Sequence, residues 1–443
     1  MQQSPSYGAI MKVATPIMFG VFVEFIVAFI DTAFLGRVSE LALNTAGNAG
    51  LLYITFYMTG QGLASAMQII IARRYGAKKY AECGQITGQS AILQFIFGIL
   101  LLILYWLFGK PIVMASMEST EIATSMISFL NIRNVGYLIV LPQLALISFY
   151  TGIGQTKALI GTTFVLSVVN IIGDYVLIYG HYGFPELGAD GAAYASVIAE
   201  FVSFIYLLFY SYRFHIKFPK FELGSFVMNK ESILKSINLG VPLMAQRFLA
   251  MASWTIFFFF IEKLGSAELA MSQVVRTLYF LAFIPIMGFS ITTKTFVSQA
   301  LGDGKVEYVK DIIKKCLILA VAITIVTAHG VLLYPEYLVS IIVKEPYLIE
   351  GASSILLILF PSMILFSISG VLFNTVAGAG NTKMAFLMEA VSIFIYLLAA
   401  YFITIVYPQP VSVVWMLEYL YFGFLIIVSL IYLRSGHWKK INV

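Results

Sequence analysis

Long apolar stretches separated by short polar ones recur from one end of the chain to the other. Their lengths predict twelve membrane-spanning helices, roughly over 10–35, 45–71, 85–108, 123–149, 158–180, 190–212, 233–261, 267–295, 312–334, 349–375, 383–406 and 411–433. About 20 apolar residues at 1.5 Å rise cross the hydrocarbon core, and each stretch reaches that length. The short alternating segments of a membrane β-barrel are absent. The expected fold class is therefore an all-α integral membrane protein with twelve transmembrane helices. The longest link, Ser211 to Glu231, is basic and falls at mid-chain. No link is long enough for a soluble domain, a nucleotide-binding fold or a catalytic module.

Polar residues interrupt this pattern at telling places. The run Pro16 to Gly36 is spanning in length yet carries Glu24 and Asp31, seven residues apart. Seven residues is close to two helical turns, so both acids fall on one face. A carboxylate facing lipid is costly, and that face must look onto other helices or a watered cavity. Elsewhere in the first half stand Arg133 (span 4), Asn170 and Asp174 (span 5), and Ser196 and Glu200 (span 6). Asn170 and Asp174 are four apart, as are Ser196 and Glu200, so each pair shares a helical face. The second half carries Arg247, Arg276, Glu389 and Glu418.

Composition agrees with the pattern: 60% of the 443 residues are hydrophobic and 11% charged. Soluble domains carry about 25% charged residues. The net charge of +5 follows topology and gives no nucleic-acid patch. Arg73, Arg74, Lys78, Lys79, Lys157, Arg213, Lys217, Lys220, Lys230, Lys305, Lys310, Lys314, Lys315, Lys383, Arg434, Lys439 and Lys440 lie on one side of the twelve-span scheme. Arg37, Lys110, Lys263 and Lys344 lie on the other. By the positive-inside rule both termini are expected in the cytoplasm. Met1 to Ile10 is too short and polar for a cleavable leader, so span 1 is expected to stay in the mature protein. Cys83 and Cys316 form no disulfide framework or metal spacing and are expected to pack as thiols.

The chain also repeats itself. Pro16 and Pro242, Gly62 and Gly288, Gly76 and Gly302, and Lys79 and Lys305 each stand 226 residues apart. Gly152-x-Gly154-x-Thr156-Lys157 returns as Gly378-x-Gly380-x-Thr382-Lys383 at the same offset. An even number of spans per half makes the repeat parallel, with an axis along the membrane normal and a substrate site expected between the halves. The expected domains are 1–222 and 223–443, each a bundle of six helices.

No enzyme signature is present. The four histidines have no metal-ligand spacing, and there is no phosphate-binding loop or nucleophile elbow. An enzyme is not expected. Oxygen atoms from Asp31, Asn170, Asp174 and Ser196 would suit a hard cation such as Na⁺. They would equally suit a protonatable pair, since two acids in low dielectric hinder each other's ionisation. Helix-to-helix hydrogen bonding is the bland alternative, and for Ser196 alone it is the better one. Glu24, Arg133, Glu200, Arg247 and Arg276 are candidates for cavity or substrate contacts, and the two second-half arginines alternatively for pairing with Glu389 or Glu418. The repeat partners of Glu24 and Asp31 are Ala250 and Phe257, so the acidic cluster belongs to the first half.

Taken together, these motifs resemble those of MATE (multidrug and toxic compound extrusion) transporters. Asp31-Thr32-Ala33-Phe34-Leu35-Gly36 is similar to the signature ending that family's first span, and Pro16 to the proline that starts it. Arg74 to Lys79 and Gln299 to Lys305 resemble its loops after spans 2 and 8, and the two G-x-G-x-T-K runs those after spans 4 and 10. Asn170 to Asp174 and Ala195-Ser196-Val197 resemble its patterns in spans 5 and 6. The resemblance covers essentially the whole chain. It implies a V-shaped exporter of cationic or amphipathic compounds in the plasma (inner) membrane, acting as a monomer in antiport with H⁺ or Na⁺. It implies no other cofactor. Asp31, Asn170, Asp174 and Ser196 would match the family's coupling cluster. Ala250 and Phe366 replace acids of the NorM branch, which makes a DinF-like subtype the expectation. A lipid-linked oligosaccharide flippase of the same superfamily is the alternative, kept open by Arg133, Arg247 and Arg276. A major-facilitator transporter is disfavoured because Ala72 to Lys79 lacks that family's loop aspartate, and a channel would need no coupling ion.

Overall fold

The computed structural model describes residues 4–117, 119–224 and 229–441. Residues 225–228 of the mid-chain link lie outside it, as does the side chain of Lys440. Among the described residues twelve long helical segments follow one another: α1 (Tyr7–Gly36), α2 (Glu40–Gly76), α3 (Tyr80–Ser116), α4 (Thr120–Gly152), α5 (Lys157–Tyr179), α6 (Gly188–Lys217), α7 (Lys230–Glu262), α8 (Ser266–Gly302), α9 (Tyr308–Leu333), α10 (Pro346–Gly378), α11 (Thr382–Val406) and α12 (Val411–Ser435). Among the described residues there is no strand. Eleven of the twelve are long and apolar enough to cross a membrane. The exception is α2, whose 37 residues match its repeat partner α8 in length but are more polar, with buried Thr45 and Gln68.

Within hydrocarbon every backbone polar group must be satisfied inside the segment, which is why the chain is helical almost throughout. Side chains finish several helix starts: Ser39 Oγ accepts from Ala42 N at 3.0 Å, and Asn381 Oδ1 from Met384 N at 3.1 Å. Prolines lie inside α1, α3, α4, α7, α8 and α10, where hydroxyls and neighbouring helices can re-satisfy freed carbonyls. Three segments depart from the simple helices expected. Helix α4 tightens into a 3₁₀ turn at Asn134–Gly136 just after Arg133. Helix α11 ends in a wide π turn over Phe402–Val406, and α12 restarts at Leu417 after Trp415. A short helix, Pro335–Ser340, lies in the link between α9 and α10.

The repeat is visible in the elements. Helices α2 and α8 start and stop 226 residues apart (40 and 266, 76 and 302). The G-x-G-x-T-K loops also correspond: Gly154 and Gly380 both turn left-handed, at φ 75° and 96°, where a side chain would be strained.

The chain forms two compact units, one of residues 19–244 and one of residues 1–18 with 245–443. The divide expected at 222/223 therefore differs from the packing, because the start of each half's first helix belongs to the other unit. The reason is local. Gly240 on α7 packs against Leu63 of α2, and Ser232 Oγ donates to Gln89 Oε1 of α3 at 2.7 Å. In the other unit, Ser4 Oγ donates to Asp311 Oδ2 at 2.5 Å, and Lys315 Nζ to the carbonyl of Pro5 at 3.0 Å. The core of unit 245–443 gathers Phe257, Tyr279, Tyr396 and Trp415. The other holds a cluster around Leu35, Met126 and Leu130 and another around Tyr53, Tyr137 and Leu141. Cys83 and Cys316 are buried thiols.

Candidate coupling site

Helices α1 and α5 run side by side in the same direction, since Gly20 lies by Thr163 and Phe34 by Tyr179. The Tyr179 hydroxyl donates to the carbonyl of Phe34 at 2.9 Å and pins the two ends together. That alignment sets Asp31 of α1 opposite Asp174 of α5, with their carboxyls in hydrogen-bonding reach of each other. Small residues then bring α6 close: the β-carbon of Ala195 would stand 3.0 Å from one added to Gly173.

Asp174 is fully buried and Asn170, one turn earlier, is 2% exposed. Both carboxyl oxygens of Asp174, Oδ1 of Asp31, and the amide oxygen and nitrogen of Asn170 are buried with no hydrogen-bond partner. Two ionised carboxylates accept only, so neither can satisfy the other. One proton shared between them, or a hard cation taking oxygens from both, resolves the conflict. The donor set fits either. Among the described residues no group of three or more His, Cys, Asp or Glu side chains gathers, so the cluster is a two-acid one.

Ser196 follows Ala195 on α6, is half-buried, and makes no hydrogen bond to the acids. Glu24 is exposed and faces Tyr57 of α2, apart from the pair. Arg133 and Glu200 bind each other. The guanidinium donates through Nη2 to Oε1 at 2.7 Å and through Nη1 to Oε2 at 2.9 Å. It lies 3.7 Å from the ring centre of Tyr53, which stacks on Tyr137 at 4.5 Å. The charge of Arg133 also faces Asp31.

In the second half the charges separate. Arg247 faces Glu389, whose Oε1 accepts from the Tyr421 hydroxyl at 2.5 Å. Arg276 forms no such pair and lies over the Phe258 ring at 5.0 Å. Glu418 accepts from Tyr279 and Tyr396. Phe366, at the position that lacks an acid, stacks on Phe422 at 4.4 Å. The tyrosine partners were not legible from the sequence, where most spans carry several aromatics. Lys294 was legible and is missing from the charges read above: it lies within span 8, is buried and faces Arg247. Its repeat partner is Gln68, and that amide-to-lysine exchange was the available signal.

A family model described as MatE matches residues 16–176 and again 242–402, the second match displaced by the repeat offset at both ends. A probable multidrug resistance protein NorM from Thermotoga maritima is 24% identical over 436 residues, 97% of this chain and 93% of that protein. A probable multidrug resistance protein YoeA from Bacillus subtilis is 25% identical over 322 residues, 72% of this chain and 70% of that one. A solved structure described as the outward-facing conformation of a multidrug resistance MATE family transporter of the MOP superfamily superposes with a TM-score of 0.89. It is 17% identical, covering 99% of this chain and 98% of that one. A MOP superfamily transporter from Pyrococcus furiosus gives the same score at 18% identity over the same shares. At such identities the likeness to solved structures concerns the fold.

Proposed function

The chain belongs to the MatE family, whose model spans both of its halves, and from that premise we propose a secondary active multidrug exporter coupled through Asp31 and Asp174. It is a multi-pass membrane transporter and not an enzyme. Its substrates are small organic compounds, cationic or amphipathic in character, and the coupling ion is H⁺ or Na⁺. The protein works as a monomer in the plasma membrane with both termini in the cytoplasm, an orientation that rests on the Lys and Arg asymmetry.

One observation carries the reading: the buried Asp174 faces the half-buried Asp31, and three of their four carboxyl oxygens are buried without a hydrogen-bond partner. A site of this kind changes free energy when a proton or cation enters it. Coupling needs the ion to favour one conformation and the substrate the other. Asn170 supplies a neutral amide oxygen beside the pair, and Arg133 a fixed charge that Glu200 holds in place.

The test is transport by purified protein in proteoliposomes under a pH gradient or a Na⁺ gradient imposed separately. Asp31→Asn is expected to abolish gradient-driven efflux with expression and folding intact, because the amide is isosteric and neutral. Asp174→Asn should do the same, and the double variant should be no worse than either single if the acids act as one unit. Full gradient-driven transport by Asp31→Asn would return both acids to a structural role.

A further inference from the structure

The unit of residues 1–18 and 245–443 holds a buried acid that the reading above leaves unused. Glu418, in the first turn of the helix that restarts at Leu417, is 3% exposed. Its Oε2 accepts from the Tyr279 hydroxyl of α8 and its Oε1 from the Tyr396 hydroxyl of α11, each at 3.2 Å. Phe257 of α7 and Trp415 of α12 belong to the same buried core. The indole N–H of Trp415 donates to Ser272 Oγ at 3.0 Å.

The groups facing Glu418 can be taken helix by helix. Helix α8 brings Tyr279, α11 brings Tyr396, and α12 itself brings Tyr421 one turn on. Helix α10 brings Ser362, beside the Tyr279 hydroxyl. Glu389 lies one step away, bonded to Tyr421 and facing Arg247. Arg276 is occupied over Phe258. Among the described residues no lysine, arginine or histidine pairs with Glu418.

An ionised carboxylate removed from water needs a cation or several donors, and it offers about four lone-pair positions. Two neutral phenols cover half of them. A metal cation would call for more oxygen ligands than the three side chains that meet here. A proton removes the mismatch, because a protonated carboxyl donates to one phenol oxygen while its carbonyl accepts from the other. We propose that Glu418, held between Tyr279 and Tyr396, is a proton-binding site of this unit, separate from the Asp31–Asp174 pair in the unit of residues 19–244.

Infrared difference spectroscopy on the full chain in lipid, titrated with pH, reads the carbonyl stretch of protonated carboxyl groups. The wild type is expected to show a band that vanishes as pH rises, and Glu418→Gln should lose it while keeping both hydrogen bonds. Tyr396→Phe removes one donor and should move the band in frequency, which covers the case that Glu418→Gln folds poorly. Asp31→Asn should retain it. A band removed by Glu418→Gln but unaltered by pH marks a permanent structural acid and overturns the proposal. So does a Glu418→Gln spectrum equal to the wild type at every pH. If Asp31→Asn transports fully while the Glu418 band still titrates, the coupling role of Asp31 fails and this site stands.

Discussion

Met244 of α7 lies against Gly62 of α2 so closely that its backbone nitrogen would stand 2.5 Å from a β-carbon on the glycine. The repeat reproduces the arrangement, for Met18 of α1 lies against Gly288 of α8. Each residue of one pair stands 226 positions from its counterpart in the other. These are the points where the start of one half's first helix is held by the other half's second, next to Pro242 and Pro16.

The two glycines should differ in tolerance. At Gly62 the obstacle is backbone, with the Leu243 carbonyl also at 2.5 Å. Gly62→Ala is expected to destabilise by about 3 kcal/mol, the upper part of the overpacking range. At Gly288 the nearest atoms are those of the flexible Met18 side chain, so Gly288→Ala should cost about 1 kcal/mol. Gly50, with open space around it, should accept alanine without loss. Thermal unfolding of the three variants in detergent gives the order.

Lys78 ends α2 in a left-handed conformation, φ 62°, where the repeat has Gly304 at φ 73°. The flanking bonds agree: Lys79 N donates to the Arg74 carbonyl at 2.9 Å, and Lys305 N to that of Ala300 at 2.8 Å. A side chain in this region costs about 1 kcal/mol that glycine does not incur. Lys78→Gly should therefore raise the melting temperature, and Gly304→Ala should lower it.

The Arg133–Glu200 pair should behave as one unit. Removing either partner leaves a buried charge alone and is expected to cost about 3–5 kcal/mol, whereas replacing both by leucine should recover most of it. A double-mutant cycle by thermal melting measures the coupling. Additive single effects would mean the charges are independently solvated.

Single cysteines at Lys157, Lys230 and Lys383 are expected to label from the cytoplasmic side, and those at Lys110 and Lys344 from outside. Cys83 and Cys316 are buried, so background labelling should be low. Labelling of both sets from one side would contradict the twelve-span scheme.

The amino-acid sequence by itself determined the twelve helices and their duplication. Bilayer thickness demands long apolar runs, and an offset that holds through Pro16, Gly62, Gly154 and Lys79 survives any change of packing. It also singled out Asp31 and Asp174, because an acid within a span is costly wherever it points. Only the tertiary structure decided partners. The alignment of α1 with α5 brought Asp31 to Asp174, and the 3₁₀ turn after Arg133 accompanies its pairing with Glu200. Glu389 and Glu418 found tyrosines that nothing marks among the many aromatics of the spans. Only packing showed that the halves exchange the starts of their first helices. Periodicity tells which face of a helix is buried, while distance across the bundle depends on small residues such as Gly62 and Gly173, whose effect exists only once a neighbouring helix lies against them.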